Sequence, residues 1–213
     1  MTPATTASPP LRRRAGWLAM TVSATLIALI AAPYLTLDPD TFLAEQRAVY
    51  TAHRPALALH VGGAVVALLA GPWQFLPRLR ARRPRLHRWT GRVYVLTATA
   101  TGLGGLLLVP VGLYPPVAPA GFAALAVLTL VSTAAAVRAI RRGDPARHRI
   151  WMTRSYALIF TGVTFRLWLM ALTAAGVGFQ QAYVTGAWAG WALNLLVAER
   201  LTAPLRGAVG VRP

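Results

Sequence analysis

The sequence predicts an all-α integral membrane protein, a bundle of six membrane-spanning helices in a single membrane domain. Hydrophobic residues make up 56% of the 213 positions and charged residues only 13%, a composition too apolar for a soluble domain. The apolar residues are collected in runs of about 20, the length that a helix needs to cross a bilayer. Short arginine-rich segments separate these runs, as they do in the loops of multi-pass proteins.

The apolar runs define six predicted spans, and no segment outside them has the composition of a soluble domain. The first run is longer than the ~7–15 apolar residues of an ordinary signal peptide, so we expect it to be a retained helix. The predicted spans are about residues 16–37, 56–77, 90–113, 120–140, 155–175 and 183–203.

The distribution of the basic residues predicts the orientation of the bundle. Arginines crowd both tails and the segments 78–92 and 138–154, whereas Arg47 and Arg54 are the only basic residues on the other side. Because positive charge collects in cytoplasmic loops, we expect both termini in the cytoplasm. The net charge of +17 then lies mainly in cytoplasmic loops, and the expected partner is the lipid bilayer around the spans. Without a recognisable binding motif, nucleic acid is not an expected partner.

The absence of cysteine restricts the chemistry that the chain can perform. It excludes disulfides, thiolate metal sites, cysteine-ligated iron–sulfur clusters, thioether-attached haem and cysteine nucleophiles. Serine is sparse in the spans, and a Ser-His-Asp arrangement would have to cross the membrane, which argues against a hydrolase. The remaining reactive residue types leave open whether the protein is an enzyme.

Two arginine-rich segments have nearly the same order of residue types. "RRPRLHRWTGRVY" covers residues 82–94, and "RRGDPARHRIWMTRSY" covers residues 141–156. Each joins a descending span to a rising one, which predicts that helices two to five form a parallel repeat of two helical hairpins. The alternative is that inner loops collect arginines and aromatic rings for orientation and anchoring. The matched positions are His87, Arg88, Trp89, Thr90, Arg92 and Tyr94 with His148, Arg149, Trp151, Thr153, Arg154 and Tyr156.

Other side chains near or within the spans have a structural interpretation. Aromatic rings near the ends of spans favour the membrane interface, and the predicted anchors are Trp89, Tyr94, Trp151 and Tyr156. Small residues inside a span indicate close helix packing, and the residues of this kind are Gly102, Gly104 and Gly105.

Arg166 is a charged residue deep inside an apolar run. It lies about 11 residues into the fifth span, roughly 16 Å deep and close to the midplane of a ~30 Å core. A guanidinium there costs at least about 2.5–3.5 kcal/mol unless it faces partners or water, so we expect Arg166 to face the bundle. No carboxylate is predicted at this depth, which leaves room for an anionic ligand. The alternative is a structural arginine bonded to carbonyls exposed by helix bends, with Asn194 at a similar depth.

Three histidines are candidate ligands of a cofactor. His87 and His148 come from different hairpins at similar depth near the cytoplasmic face, as two imidazole ligands of a non-covalent haem b would. Haem iron is the one metal that we assign to this pair. His60 lies about one turn inside the outer end of the second span and is a candidate outer ligand. The alternatives are solvated loop residues for the first two and a hydrogen-bonded interfacial residue for His60.

A longer pattern resembles a known family. "HVGGAVVALLAGPWQFLPRLRARRPRLHRWTGRVYVL", followed later by "HRIWMTRSYALIFTGVTFRLW", is similar to the bacterial multi-pass predicted membrane protein family, domain of unknown function 2306. The resemblance covers about residues 56–170 and implies a multi-pass inner-membrane protein without an established activity. By this resemblance, the family pattern falls on His60, Gly71, Gln74, Arg80, His87, Arg88, Gly91, Tyr94, His148, Arg149, Trp151, Met152, Arg154 and Arg166.

The predicted function is membrane redox chemistry, with electron transfer to a partner through haem b or a quinone. In this account His87 and His148 are the inner ligands and His60 is an outer one. The arginines that would neutralise haem propionates or bind a quinone carbonyl are Arg88, Arg149 and Arg166. The alternative from a different class is a transporter, or a membrane protein that binds a small anionic ligand or lipid without a redox cofactor. Arg166 would then contact the cargo, and the histidines would be structural.

Overall fold

The structure is a computed structural model that describes the backbone of residues 11–210 and the side chains of residues 11 and 14–205. Within that range the chain is helical without a β-strand, which confirms the predicted all-α membrane fold. Its helices there are α1 (Leu11–Ala31), α2 (Arg47–Ala52), α3 (Arg54–Gln74), α4 (Pro77–Arg82), α5 (Pro84–Leu108), α6 (Val117–Arg141), α7 (Pro145–Ile159), α8 (Thr161–Ala174) and α9 (Phe179–Gly210).

Five stretches of the described chain are long and apolar enough to cross a membrane, and they overlap the first five predicted spans. They are Arg14–Thr36, Arg54–Gln74, Pro84–Val111, Val117–Arg141 and Pro145–Ala174. The sixth predicted span lies within α9, which is 32 residues long but less apolar, since it carries Asn194, Glu199 and Arg200. Because α9 packs along α6, α7 and α8, it completes the bundle.

Two antiparallel hairpins form the centre of this bundle. α3 packs extensively on α5, and α6 packs on α7, while α1 lies against α3 and α9 against α7 and α8. α5 and α7 both begin at a proline three residues before a histidine, Pro84 before His87 and Pro145 before His148. The internal repeat remains a prediction, which this correspondence supports.

The two ends of the bundle differ in charge. We call the end formed by α4, the starts of α5 and α7 and the last turn of α6 the basic end. The expected loops there are largely helical, and α7 begins at Pro145, well before the predicted residue 155. Asp144 caps it, because its Oδ1 accepts a hydrogen bond from the backbone amide of Arg147 at 2.9 Å. His87 and His148 therefore lie in first helical turns and not in irregular loops.

The opposite end is covered by an ordered segment where the sequence predicted an external loop. This cap segment, residues 32–53, consists of three short 3₁₀ turns followed by α2. Its rings of Tyr34, Phe42 and Tyr50 pack together with centroids 5.4–6.0 Å apart. Phe42 is buried against Leu57 of α3, so the cap segment is anchored to the bundle.

Tyr94 and Tyr156 lie in the core, so their interpretation as interfacial anchors is wrong. Their side chains are 0% and 3% exposed. The Tyr94 hydroxyl lies 2.9 Å from Oγ of Ser155, and the Tyr156 hydroxyl donates to the carbonyl of Leu68 at 3.3 Å. Gly71 makes room for the second ring, since a Cβ there would lie 2.0 Å from Cε2 of Tyr156. Hydroxyls that find partners inside the protein do not need the membrane interface.

Close helix packing at the predicted glycines is confirmed. A Cβ on Gly104 would lie 2.5 Å from the backbone nitrogen of His60, and one on Gly102 would lie 2.8 Å from Cγ of Leu130. The absence of a side chain therefore lets α5 approach α3 on one face and α6 on the other.

Candidate functional site

A cavity of about 400 Å³ lies inside the bundle, between α3, α5, α6 and α8 and beneath the cap segment. Its walls are mainly apolar, and a few polar groups converge on it. A cavity of this kind is the usual form of a small-molecule binding site. The polar side chains that line it include Tyr34, Gln46, Tyr50, His60, Arg166 and Tyr183.

Arg166 reaches this cavity from α8, close to a break in the fifth span. α7 ends at Ile159 and α8 begins at Thr161, and one guanidinium nitrogen, Nη1, donates to the carbonyl of Gly162 at 2.8 Å. No other hydrogen-bond or ion-pair partner of the guanidinium occurs within the described residues, and no carboxylate of theirs lines the cavity. Arg166 thus faces the bundle as expected, with most of its five N–H donors left for a ligand or water.

Asn194 does not serve as a partner of Arg166. Its amide nitrogen donates to the carbonyl of Ala157 at 3.0 Å, and its amide oxygen accepts from the hydroxyl of Thr164 at 2.9 Å. These bonds tie α9 to both sides of the break in the fifth span. The positive charge at the cavity therefore remains without an ionic partner among the side chains that the structure describes.

His60 lines the same cavity from α3. Its Nδ1 lies 2.9 Å from the carbonyl oxygen of Thr101, which can only accept, so Nδ1 carries the hydrogen. In the neutral ring Nε2 then has a free lone pair, and it has no hydrogen-bond partner among the described residues. Gly105 allows this placement, since a Cβ there would lie 3.2 Å from Nδ1. Arg166 lines the same cavity, so one ligand there could meet both the imidazole and the guanidinium.

The cap segment contributes polar groups that the sequence analysis missed. The hydroxyl of Tyr50 donates to Oε1 of Gln46 at 2.5 Å, and Nε2 of Gln46 donates to the hydroxyl of Tyr183 on α9 at 3.0 Å. Burial raises the pKa of Tyr50 above its ordinary value, so the phenol stays protonated near neutral pH. This chain of hydrogen bonds runs along the cap-segment side of the cavity. The available signal was the spacing of Gln46 and Tyr50, which places both on one helical face.

His87 and His148 lie at the basic end and do not line the cavity. Nδ1 of His148 is 2.9 Å from the carbonyl oxygen of Ala136 and therefore donates, which leaves Nε2 for another partner. Nδ1 of His87 is buried without a partner among the described residues. His87, His148, Arg80 and Arg88 lie on the helices that form the basic end, α5, α7 and α4. Within the described chain, no group of three or more His, Asp or Glu side chains could hold a metal ion.

Arg149, the remaining predicted site residue, is exposed in the first turns of α7. No ion pair of its side chain occurs among the described residues. The predicted residues thus divide into a group at the cavity, His60 and Arg166, and a group at the basic end.

Several residues of the expected family pattern have structural roles. Nε2 of Gln74 donates to the hydroxyl of Thr90 at 2.7 Å, and a Cβ on Gly91 would lie 3.3 Å from Oε1 of Gln74. These contacts join α3 to α5 near the basic end.

Arg154 joins α7 to α9 through Glu199. Its Nε and Nη2 donate to the two carboxylate oxygens at 2.6 and 3.1 Å, and its Cζ lies 4.4 Å from the ring centre of Trp151. Met152 packs against the central apolar cluster. His60 and His148 each bond a carbonyl of a neighbouring helix. The pattern residues without a described contact to another helix are Arg80, His87, Arg88, Arg149 and Arg166.

Comparison with known proteins agrees with the membrane fold. Residues 57–202 match the family described as "Predicted membrane protein (DUF2306)", so the match extends beyond the expected residue 170 into α9. No curated protein and no solved structure matches the chain. Because the matched region includes α3 to α8 and most of α9, the chain belongs to the DUF2306 family of predicted membrane proteins.

Proposed function

We propose that the protein binds a small carboxylate with an apolar body in the cavity between α3, α5, α6 and α8, as a transporter or ligand-binding membrane protein. The observation that carries this proposal is the guanidinium of Arg166, which lines the cavity without a carboxylate partner among the described residues. A charge in a poorly hydrated interior is costly unless it is paired or hydrated. A ligand carboxylate would supply that pairing, and the fork of an arginine fits its two oxygens.

The rest of the cavity matches the other parts of such a ligand. The apolar walls would receive its hydrocarbon body, and a volume of about 400 Å³ lies within the ~300–1,000 Å³ usual for small-molecule sites. The free lone pair on Nε2 of His60 would accept a hydrogen bond from a ligand hydroxyl. Because Arg166 supplies the positive charge, a carboxylate is favoured over an uncharged ligand of the same shape.

The predicted orientation supplements this proposal. If this is an inner-membrane protein whose arginine-rich segments and termini face the cytoplasm, the cap segment faces the opposite side of the membrane. The cavity would then receive its ligand from the external half of the membrane.

Thermal stabilisation of the purified protein in mild detergent tests the proposal. We expect octanoate to raise the midpoint of unfolding of the wild-type protein, since a ligand that binds the folded state stabilises it. Octanol, which has the same chain without the charge, should stabilise it less. Equal stabilisation by the two compounds, or none by octanoate, would contradict the proposal.

A second candidate function is redox chemistry through haem b at the basic end. It is favoured by His87 and His148 at the same end of the bundle, since Nε2 of His148 is oriented by its bond to Ala136 and Nδ1 of His87 is buried without a described partner. These two imidazoles would hold the haem iron, and Arg80, Arg88 and Arg149 would neutralise propionates. Bound haem would supply one-electron transfer. A reduced-minus-oxidised absorption spectrum of the protein from haem-supplied cells tests this function.

Redox chemistry through a quinone would instead use the internal cavity. Arg166 would donate to a quinone carbonyl, and Nε2 of His60 would accept from a quinol hydroxyl. A long-chain quinone that displaces octanoate from the purified protein would support this use of the cavity.

A further inference from the structure

A second cavity lies on the surface of the bundle, in a groove between α5 and α6, with a volume of about 650 Å³. Its apolar part is formed by Val95, Leu130, Ala134 and Val137, and the side chain of Ala134 is exposed there. The groove continues along α6 to the basic end, where the side chains that line it are Arg138, Arg141 and Arg142. One groove therefore has an apolar part within the membrane span and a cationic part at its end.

The three arginines have no ionic partner among the described residues. The ion pairs found there use other arginines, and Asp144, the carboxylate nearest in sequence, pairs with Arg147 at 3.3 Å and caps α7. Three positive charges thus line one end of a groove whose walls contribute no negative charge. This arrangement attracts an anion, and the adjoining apolar surface favours one that carries hydrocarbon.

The length of the groove fits one leaflet of a bilayer. Leu130 and Arg141 are separated by about 17 Å along the axis of α6, at 1.5 Å per residue. Half the thickness of a ~30 Å hydrocarbon core is about 15 Å. An acyl chain that follows Leu130 and Ala134 would consequently bring its headgroup to the level of the arginines.

We propose that this groove is a specific site for an anionic phospholipid, whose phosphate contacts Arg138, Arg141 and Arg142 and whose acyl chain lies between α5 and α6. The site is separate from the internal cavity, and it does not depend on the function proposed for Arg166. Positive charge that serves only to orient the protein in the membrane would need no adjoining groove. The geometry therefore distinguishes a retained lipid from general attraction to an acidic bilayer.

The test measures how much phosphatidylglycerol and phosphatidylcholine the full-length protein retains from mixed micelles, by native mass spectrometry. We expect the wild-type protein to retain phosphatidylglycerol preferentially. The triple variant R138Q/R141Q/R142Q should retain at least about tenfold less phosphatidylglycerol, because each arginine near a lipid headgroup increases binding several-fold. The control variant R82Q/R83Q/R85Q removes the same charge from the same end of the bundle and should retain it nearly as well as wild type.

A second variant tests the apolar part without changing the charge. Ala134→Trp fills the groove and keeps all three arginines, so we expect it also to lose phosphatidylglycerol, and it stays informative if the arginine variant does not fold. Equal retention of both lipids, or equal losses in the two triple variants, would overturn the proposal in favour of diffuse attraction. Displacement of the lipid by inorganic phosphate alone would also overturn it, because the site would then bind the anion and not the chain.

Discussion

Nδ1 of His60 donates a hydrogen bond to the carbonyl oxygen of Thr101, 2.9 Å away, and this bond determines which nitrogen of the imidazole is left for a ligand. The bond crosses from α3 to α5 at a point where two glycines bring the helices together. A histidine whose tautomer is fixed in this way presents a defined acceptor, Nε2, to the cavity that Arg166 also lines. The packing of α3 on α5 is thus directly connected to the chemistry of the cavity.

Gly105→Ala tests that connection. The added Cβ would lie 3.2 Å from Nδ1 of His60, so the imidazole must shift by a few tenths of an ångström relative to its bond with Thr101. Alanine normally stabilises a helix interior by about 1 kcal/mol relative to glycine, and we expect the crowding to remove this gain and to weaken octanoate binding. Chemical denaturation and calorimetry measure the two effects. Gly178→Ala is the control, since nothing lies within 4 Å of its added Cβ. Equal changes in stability and octanoate binding in the two variants would contradict the packing account.

The ion pair between Arg154 and Glu199 should stabilise the contact of α7 with α9. Its side chains are 20% and 33% exposed, and we expect Glu199→Gln to lower the free energy of unfolding by about 1.5–3 kcal/mol, the range for hydrogen bonds to charged groups. Asp40→Asn, which removes the exposed pair of Asp40 with Arg47, should cost about 1 kcal/mol or less. Denaturation of both variants in the same detergent measures the difference, and a larger cost for Asp40→Asn would refute this ranking.

The orientation prediction can be tested independently of any ligand. If both termini and the basic end are cytoplasmic, a phosphatase reporter fused within residues 78–88 should be inactive and a cytoplasmic fluorescent reporter there should be active. Periplasmic phosphatase activity from this fusion would reverse the orientation of the whole bundle. It would also place the cap segment, and with it the covered side of the cavity, in the cytoplasm.

The haem hypothesis predicts a specific pair of variants. If His87 and His148 hold haem iron, His87→Ala and His148→Ala should each weaken or abolish the reduced-minus-oxidised spectrum of the purified protein. His53→Ala is a suitable control, because His53 lies in the cap segment at the opposite end. A colourless wild-type protein from haem-supplied cells would remove the main support for redox function through haem.

The sequence was sufficient to predict the helical fold. Arg166 was singled out because a charge is costly at that depth whatever surrounds it, and His60 because it lies near the outer end of a span as a candidate ligand. That they line one cavity could not be predicted, since α3 and α8 are far apart in the chain and meet only through tertiary packing. Their common environment became evident from the cavity that both side chains line.

Local sequence patterns gave wrong predictions where two environments favour the same residue types. A tyrosine near the end of an apolar run is compatible with the membrane interface and with the core, and only partners such as Ser155 distinguish the two for Tyr94. The cap segment was expected to be an external loop because it lies between the first two predicted spans. Its packing depends on the contact of Phe42 with α3, which no local pattern reveals.

The most direct test of the central claim is the affinity of octanoate for the purified protein, measured by isothermal titration calorimetry. Arg166→Gln keeps a side chain that can donate hydrogen bonds but removes the charge, and Arg149→Gln removes an exposed charge at the basic end as the control. We predict that Arg166→Gln weakens binding about tenfold or more, since a hydrogen bond to a charged group contributes about 1.5–3 kcal/mol, while Arg149→Gln leaves it unchanged. Equal affinity of wild type and Arg166→Gln would contradict the account.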